Sequence, residues 1–121
     1  MLVYIKLDNI PKKVLSMSSS LKPQKQPPWT VKLTATVKRQ KDALPEDIAA
    51  SFLTLVMELA WEGPAQPEWR NYGKLGGQKK ETHHCHLNTG KPRYVAVWQV
   101  TDKQIKLIEV KYAGTHQNAP Y

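Results

Sequence analysis

The sequence predicts an α+β fold: strand, helix, helix and three strands, an antiparallel sheet packed on a helical hairpin. Three observations carry this. Apolar residues recur at helical spacing between Ile48 and Leu59. Three β-patterned stretches follow one another over residues 82–112. Gly63-Pro64 and Thr89-Gly90-Lys91-Pro92 mark the breaks between elements. Helices segregated before a run of strands belong to the α+β class.

Residues 1–28 differ from the rest. Ser16-Met17-Ser18-Ser19-Ser20 and Lys22-Pro23-Gln24-Lys25-Gln26-Pro27-Pro28 hold too little apolar surface to offset the entropy of ordering. This part reads as a flexible basic arm, with a short strand at Leu2–Leu7 as the structural alternative. A single domain is expected over residues 29–121.

Trp29-Thr30-Val31-Lys32-Leu33 alternates apolar and polar side chains, the pattern of a half-buried strand. Thr34–Leu44 is a polar helix with Val37 and Leu44 as its apolar points. Pro45 suits the start of a second helix, where Glu46 and Asp47 complement the helix dipole. Ile48, Phe52, Leu55, Val56 and Leu59 share one face of it and are core. Gly63-Pro64 ends it. Ala65–Lys80 reads as a loop, its Leu75-Gly76-Gly77 a turn and not a phosphate loop, since no GK[ST] and no helix follow.

The last three strands are expected at Thr82–Asn88, Arg93–Thr101 and Gln104–Tyr112. The nearly all-apolar Arg93–Thr101 is the central one. Asp102-Lys103 makes the tight turn after it. Trp98 and Tyr94 are core.

The chain is basic, +8 overall, with 18 Lys and Arg against 10 Asp and Glu. The arm holds +4, residues 29–63 hold −1 and residues 64–121 hold +5. An anionic partner follows, nucleic acid or an acidic protein. The single cysteine excludes an intramolecular disulfide. No apolar run approaches the roughly 20 residues of a membrane span, and the N-terminus lacks a signal peptide's pattern. A cytoplasmic protein is expected.

All four histidines and the cysteine fall in the C-terminal third. Histidine titrates nearest neutrality, so a cluster on a basic sheet points to proton transfer beside phosphate. Alternate residues of a strand share a face. His84 and His86 therefore point one way, and His83, Cys85 and Leu87 point the other, toward the core. Proton transfer beside phosphate calls for a base, an acid and cations to hold the charge on phosphorus.

Arg93-Tyr94-Val95-Ala96-Val97-Trp98-Gln99-Val100, the turn at Asp102, and Tyr112-Ala113-Gly114-Thr115-His116 together resemble the RelE/ParE toxin superfamily of bacterial toxin–antitoxin systems. The likeness spans about Trp29–Tyr121. It implies an endoribonuclease that cuts mRNA in the ribosomal decoding site and is held inactive by a cognate antitoxin. It implies no cofactor and no membrane. His84 and His86 fall where such toxins carry two lysines. The family arginine lies nearer Val95; Arg93 is two residues earlier on that face, about 7 Å along the strand. His116 takes the place of a late arginine or histidine and is the expected general acid. Tyr121 stacks on a base or joins the proton relay. The expected catalytic set is thus His84, His86, Arg93, His116 and Tyr121, with Lys91, Lys79 and Lys80 binding substrate.

Two alternatives stay open. A ParE-like protein would inhibit DNA gyrase by binding alone. His84-x-His86, joined by His116 or Cys85, has the spacing of a zinc site. Either histidine of the strand, or His116 in its loop, also fits an ordinary surface role.

Overall fold

The computed structural model describes residues 26–121 and the strand Leu2–Val3. The other residues of the expected arm, including most of the alternative strand Leu2–Leu7, lie outside the described residues.

Strands β1 (Leu2–Val3) and β2 (Thr30–Leu33) precede helices α1 (Ala35–Asp42) and α2 (Glu46–Glu62). Strands β3 (Gly73–Leu75), β4 (Thr82–His86), β5 (Tyr94–Asp102) and β6 (Leu107–Thr115) follow, and a 3₁₀ turn at His116–Asn118 closes the chain. They form a six-stranded sheet in the order β1-β2-β6-β5-β4-β3.

The α+β architecture is as expected, but one strand pairing departs from an all-antiparallel sheet. β2 runs parallel to β6, pairing Thr30 with Leu107 and Leu33 with Val110. The other pairs are antiparallel. Parallel neighbours need a crossover between them, and α1 and α2 supply its first part.

Local chemistry explains the helices. The Thr34 hydroxyl caps α1 by accepting from the Val37 amide at 3.1 Å. Pro45 sits at the N-cap of α2, just outside the first turn, with Glu46 and Asp47 within it. Gly63 ends α2 at φ 95°, a conformation closed to most residues. A Cβ on it would lie 2.9 Å from Trp29 Nε1.

Ile48, Phe52, Leu55, Val56 and Leu59 are buried as their spacing predicts, against Val31, Leu33, Trp98, Ile108 and Val110 of the sheet. Each contributes about 1.5–3 kcal/mol on burial. Trp98 is fully buried and donates its indole N–H to the Pro64 carbonyl at 3.0 Å, whereas Tyr94 is half-buried. The opposite sheet face carries a smaller apolar patch of Val95, Val97 and Tyr112, with Leu75 and Ala119 against it.

Several ends shift by a residue or two, and two segments differ by more. Ala65–Lys80 is not all loop, because Gly73–Leu75 adds an edge strand to β4. Three residues are too few to show a periodicity. The final strand runs Leu107–Thr115 and not Gln104–Tyr112. Asp102 Oδ1 accepts from the amides of Gln104 (2.8 Å) and Ile105 (3.2 Å), and Lys106 has φ 54°. This side-chain turn consumes the first residues of the expected strand and leaves Ile105 exposed.

Candidate functional site

The alternation of β4 divides its residues as the sequence requires. His83 and Cys85 are fully buried on the helix side, with Leu87 beyond them. His84 and His86 lie on the other face, opposite Val97 and Val95 of β5. His86 is not open, however. It is only 8 % exposed, because the chain returns over it after β6.

That return assembles the site. The His116 amide donates to the Arg93 carbonyl at 2.7 Å, joining the 3₁₀ turn to the start of β5. The His116 ring then lies 5.5 Å from the His86 ring, at 75°. The tail places Tyr121 4.9 Å from the His84 ring and 5.9 Å from that of His116. Four of the five expected catalytic side chains thus touch in a chain of rings: His86, His116, Tyr121, His84. The fifth, Arg93, is exposed at the rim and lines an open cleft of about 520 Å³ with His86, Lys91 and His116.

The electrostatics favour neutral imidazoles at the floor. Burial, then the charges of His116, Arg93, His84 and Arg70, push His86 below the usual histidine value. Burial, then His116 and His83, do the same to His84. The Nδ1 atoms of both rings are buried and without a hydrogen-bond partner among the described residues. A buried nitrogen left unpaired is costly. Burial raises the Tyr121 phenol above its ordinary value.

A chain of the RelE–RelB complex from the archaeon Pyrococcus horikoshii OT3 superposes on this architecture. The TM-score is 0.62, covering 76 % of this chain and 99 % of that one, at 22 % identity. The fold is RelE-like. No protein-family model and no curated protein sequence matches the chain.

Within this RelE-like fold the remaining expected residues separate. Lys79 and Lys80 precede β4, at the end away from His86 and roughly 20 Å along the chain from it. They line neither cleft beside His86. Val95 is fully buried directly across from His86, and the cations lining the cleft are Lys91 and Arg93, both outside the strand.

Arg70 is the residue that the sequence alone did not reveal. Its carbonyl accepts from the His86 amide at 2.8 Å, and its guanidinium is one of the charges acting on His86. A loop arginine sixteen residues before its partner carries no periodic signal; only the pairing of the loop with the end of β4 places it.

On the core side, His83 is bonded at both nitrogens. The Tyr72 hydroxyl donates to Nδ1 at 2.7 Å, and Nε2–H donates to Glu81 Oε2 at 2.7 Å, a tautomer assigned from the carboxylate's inability to donate. Trp98 stacks on the ring at 5.8 Å and 4°, and Lys103 pairs with Glu81 at 3.0 Å. Burial dominates and lowers its pKa despite Glu81. His83 is a satisfied core histidine.

Among the described residues no group of three or more His, Cys, Asp and Glu side chains converges as metal ligands. Cys85 is not placed to join the two strand histidines in a zinc site: it lies on the far side of the sheet, and burial pushes its thiol up to about 12. No helix among the described residues is long and apolar enough to cross a membrane.

Proposed function

We propose that the chain is the toxin of a toxin–antitoxin pair and an endoribonuclease that cuts mRNA by metal-free acid–base catalysis. The observation that carries this is the His86–His116 pair, 5.5 Å apart at the floor and rim of one cleft with Arg93 and Lys91. The RelE-like fold supports it.

The chemistry follows from the environments. A pair of titratable groups held in unlike surroundings supplies an acid and a base. His86, buried among cations, is neutral at pH 7 and takes the proton from the 2′-OH. The 2′ oxygen attacks phosphorus, and Arg93 with Lys91 stabilises the charge on the non-bridging oxygens. His116, at the solvent rim, gives a proton to the departing 5′ oxygen. One P–O bond forms and one breaks, leaving a 2′,3′-cyclic phosphate and a 5′-hydroxyl. Tyr121 stacks beside the reacting nucleotide and His84 backs it. Lys79 and Lys80, distant from the cleft, serve only the longer track of the RNA.

The partner reading rests on charge and on the RelB that accompanies RelE in the archaeal structure. A cognate antitoxin with an acidic segment would cover the basic C-terminal half, which carries +5. The ribosome, in the cytoplasm, would present the mRNA.

The test is induced expression of the wild type beside His86→Gln and His116→Gln, with mRNA ends mapped by primer extension. Arrest with new 5′-hydroxyl ends, lost in both variants, is expected. Arrest with intact mRNA, unchanged in the variants, would overturn the nuclease and point to a gyrase inhibitor of the ParE kind.

A further inference from the structure

A second cleft, of about 350 Å³, opens on the other side of His86 between the end of β4 and α2. Glu58, Glu68, Trp69, Arg70, Asn88 and Thr89 line it. His86 is the one residue that lines both clefts; it is more than nine-tenths buried, and its Nδ1 has no hydrogen-bond partner among the described residues.

The clefts differ in charge. The first presents Lys91, Arg93 and His116, and suits phosphate. The second presents two carboxylates and one guanidinium, which repel phosphate and favour groups rich in N–H donors. Its walls are fixed. The Trp69 indole N–H donates to Glu58 Oε1 at 2.6 Å, and the other carboxylate oxygen has no hydrogen bond among the described residues. Asn88 is fully engaged, with Nδ2 donating to the Pro92 carbonyl (3.1 Å) and Oδ1 accepting from the Tyr94 amide (2.8 Å). Glu68 is exposed and makes no ion pair or hydrogen bond among the described residues.

We infer that this cleft reads the nucleobase next to the phosphate held at His86, and that its carboxylates select guanine. The inference rests on the endoribonuclease reading. Guanine N1–H and its N2 amino group give one carboxylate two adjacent donors. Adenine and cytosine each offer an amino group beside an acceptor, and uracil an N–H flanked by two carbonyls that a carboxylate repels. Arg70 lines the same cleft, and its positive charge offsets part of the carboxylates' repulsion of a nucleotide.

The test is direct binding to the full chain, followed by NMR at the Trp69 indole N–H, with each of the four nucleoside 3′-monophosphates titrated separately. The expected result is a shift of the Trp69 signal by 3′-GMP, with affinity about tenfold above 3′-UMP. Glu68→Gln and Glu58→Gln narrow that gap to under about threefold, the second keeping an acceptor for Trp69. Equal shifts by all four nucleotides, a gap unchanged in both variants, or movement of His86 and His116 signals without Trp69 would each overturn the guanine pocket and leave the nuclease standing. Nucleotides that move none of these signals would overturn both.

Discussion

His86 and His116 face each other edge to face, 5.5 Å between ring centres, one nine-tenths buried and the other exposed. Burial first, then the neighbouring groups, His116 among them, lower the pKa of the buried ring and favour its neutral form. In the proposed mechanism this difference in burial separates the base from the acid.

The two strand histidines should not be equivalent. His86 lines both clefts, while His84 packs between Tyr121 and Gly73, where a Cβ would sit 3.4 Å from its Nε2. His86→Gln should lower the cleavage rate by about 10²–10⁴-fold, the usual worth of a general base. His84→Gln should cost less than about tenfold. Single-turnover rates on a short RNA or on programmed ribosomes decide this, and the reverse order would reassign the base to His84.

Arg93 should act on both binding and titration. Arg93→Ala should cost about 1–3 kcal/mol in RNA affinity and lower the salt slope by about one. Because Arg93 is among the charges holding His86 down, its removal should also move the acid limb of the kcat/KM profile to higher pH. An unmoved limb would place Arg93 outside the field of the base.

Stability should fall in mild acid. Burial lowers the folded-state pKa of His83, His84 and His86, so the unfolded chain binds more protons below the ordinary histidine value of about 6.5. Their contribution is fully present above about pH 6.5 and is lost as pH falls toward the lowered folded values. Urea midpoints between pH 7.5 and 5 should decline, and His83→Phe, which removes the most buried ring, should flatten the decline. Midpoints that rise on acidification would contradict the burial of these rings.

Cys85 should resist thiol reagents in the native state. It is fully buried on the core side with its thiol pushed up to about 12, so little thiolate exists and none is reachable. Labelling by a disulfide reagent should proceed only at the rate of unfolding. Rapid labelling of the folded chain would put Cys85 on the histidine face.

Gly63→Ala should destabilise the protein by about 1–3 kcal/mol without touching the clefts. Its φ of 95° disfavours a side chain, and a Cβ would press on Trp29 at 2.9 Å. A thermal shift assay beside intact RNA binding measures this. No loss of Tm would mean that Trp29 moves freely.

Much of this protein was legible in its sequence wherever a local rule applied. The stripe Ile48–Leu59 declared its helix and its buried face, because 3.6-residue periodicity is a property of consecutive residues. The two-residue period of β4 separated His83 and Cys85 from His84 and His86. Composition put the positive charge in the half that holds the histidines. What only the tertiary structure decided depends on residues far apart in the chain. The parallel β2–β6 pair, the edge strand Gly73–Leu75, the burial of His86 under the returning tail and the arrival of Arg70 beside it all come from pairings between distant segments. Strand partners are chosen by the packing of the whole sheet on its helices, and no spacing within one segment records that choice.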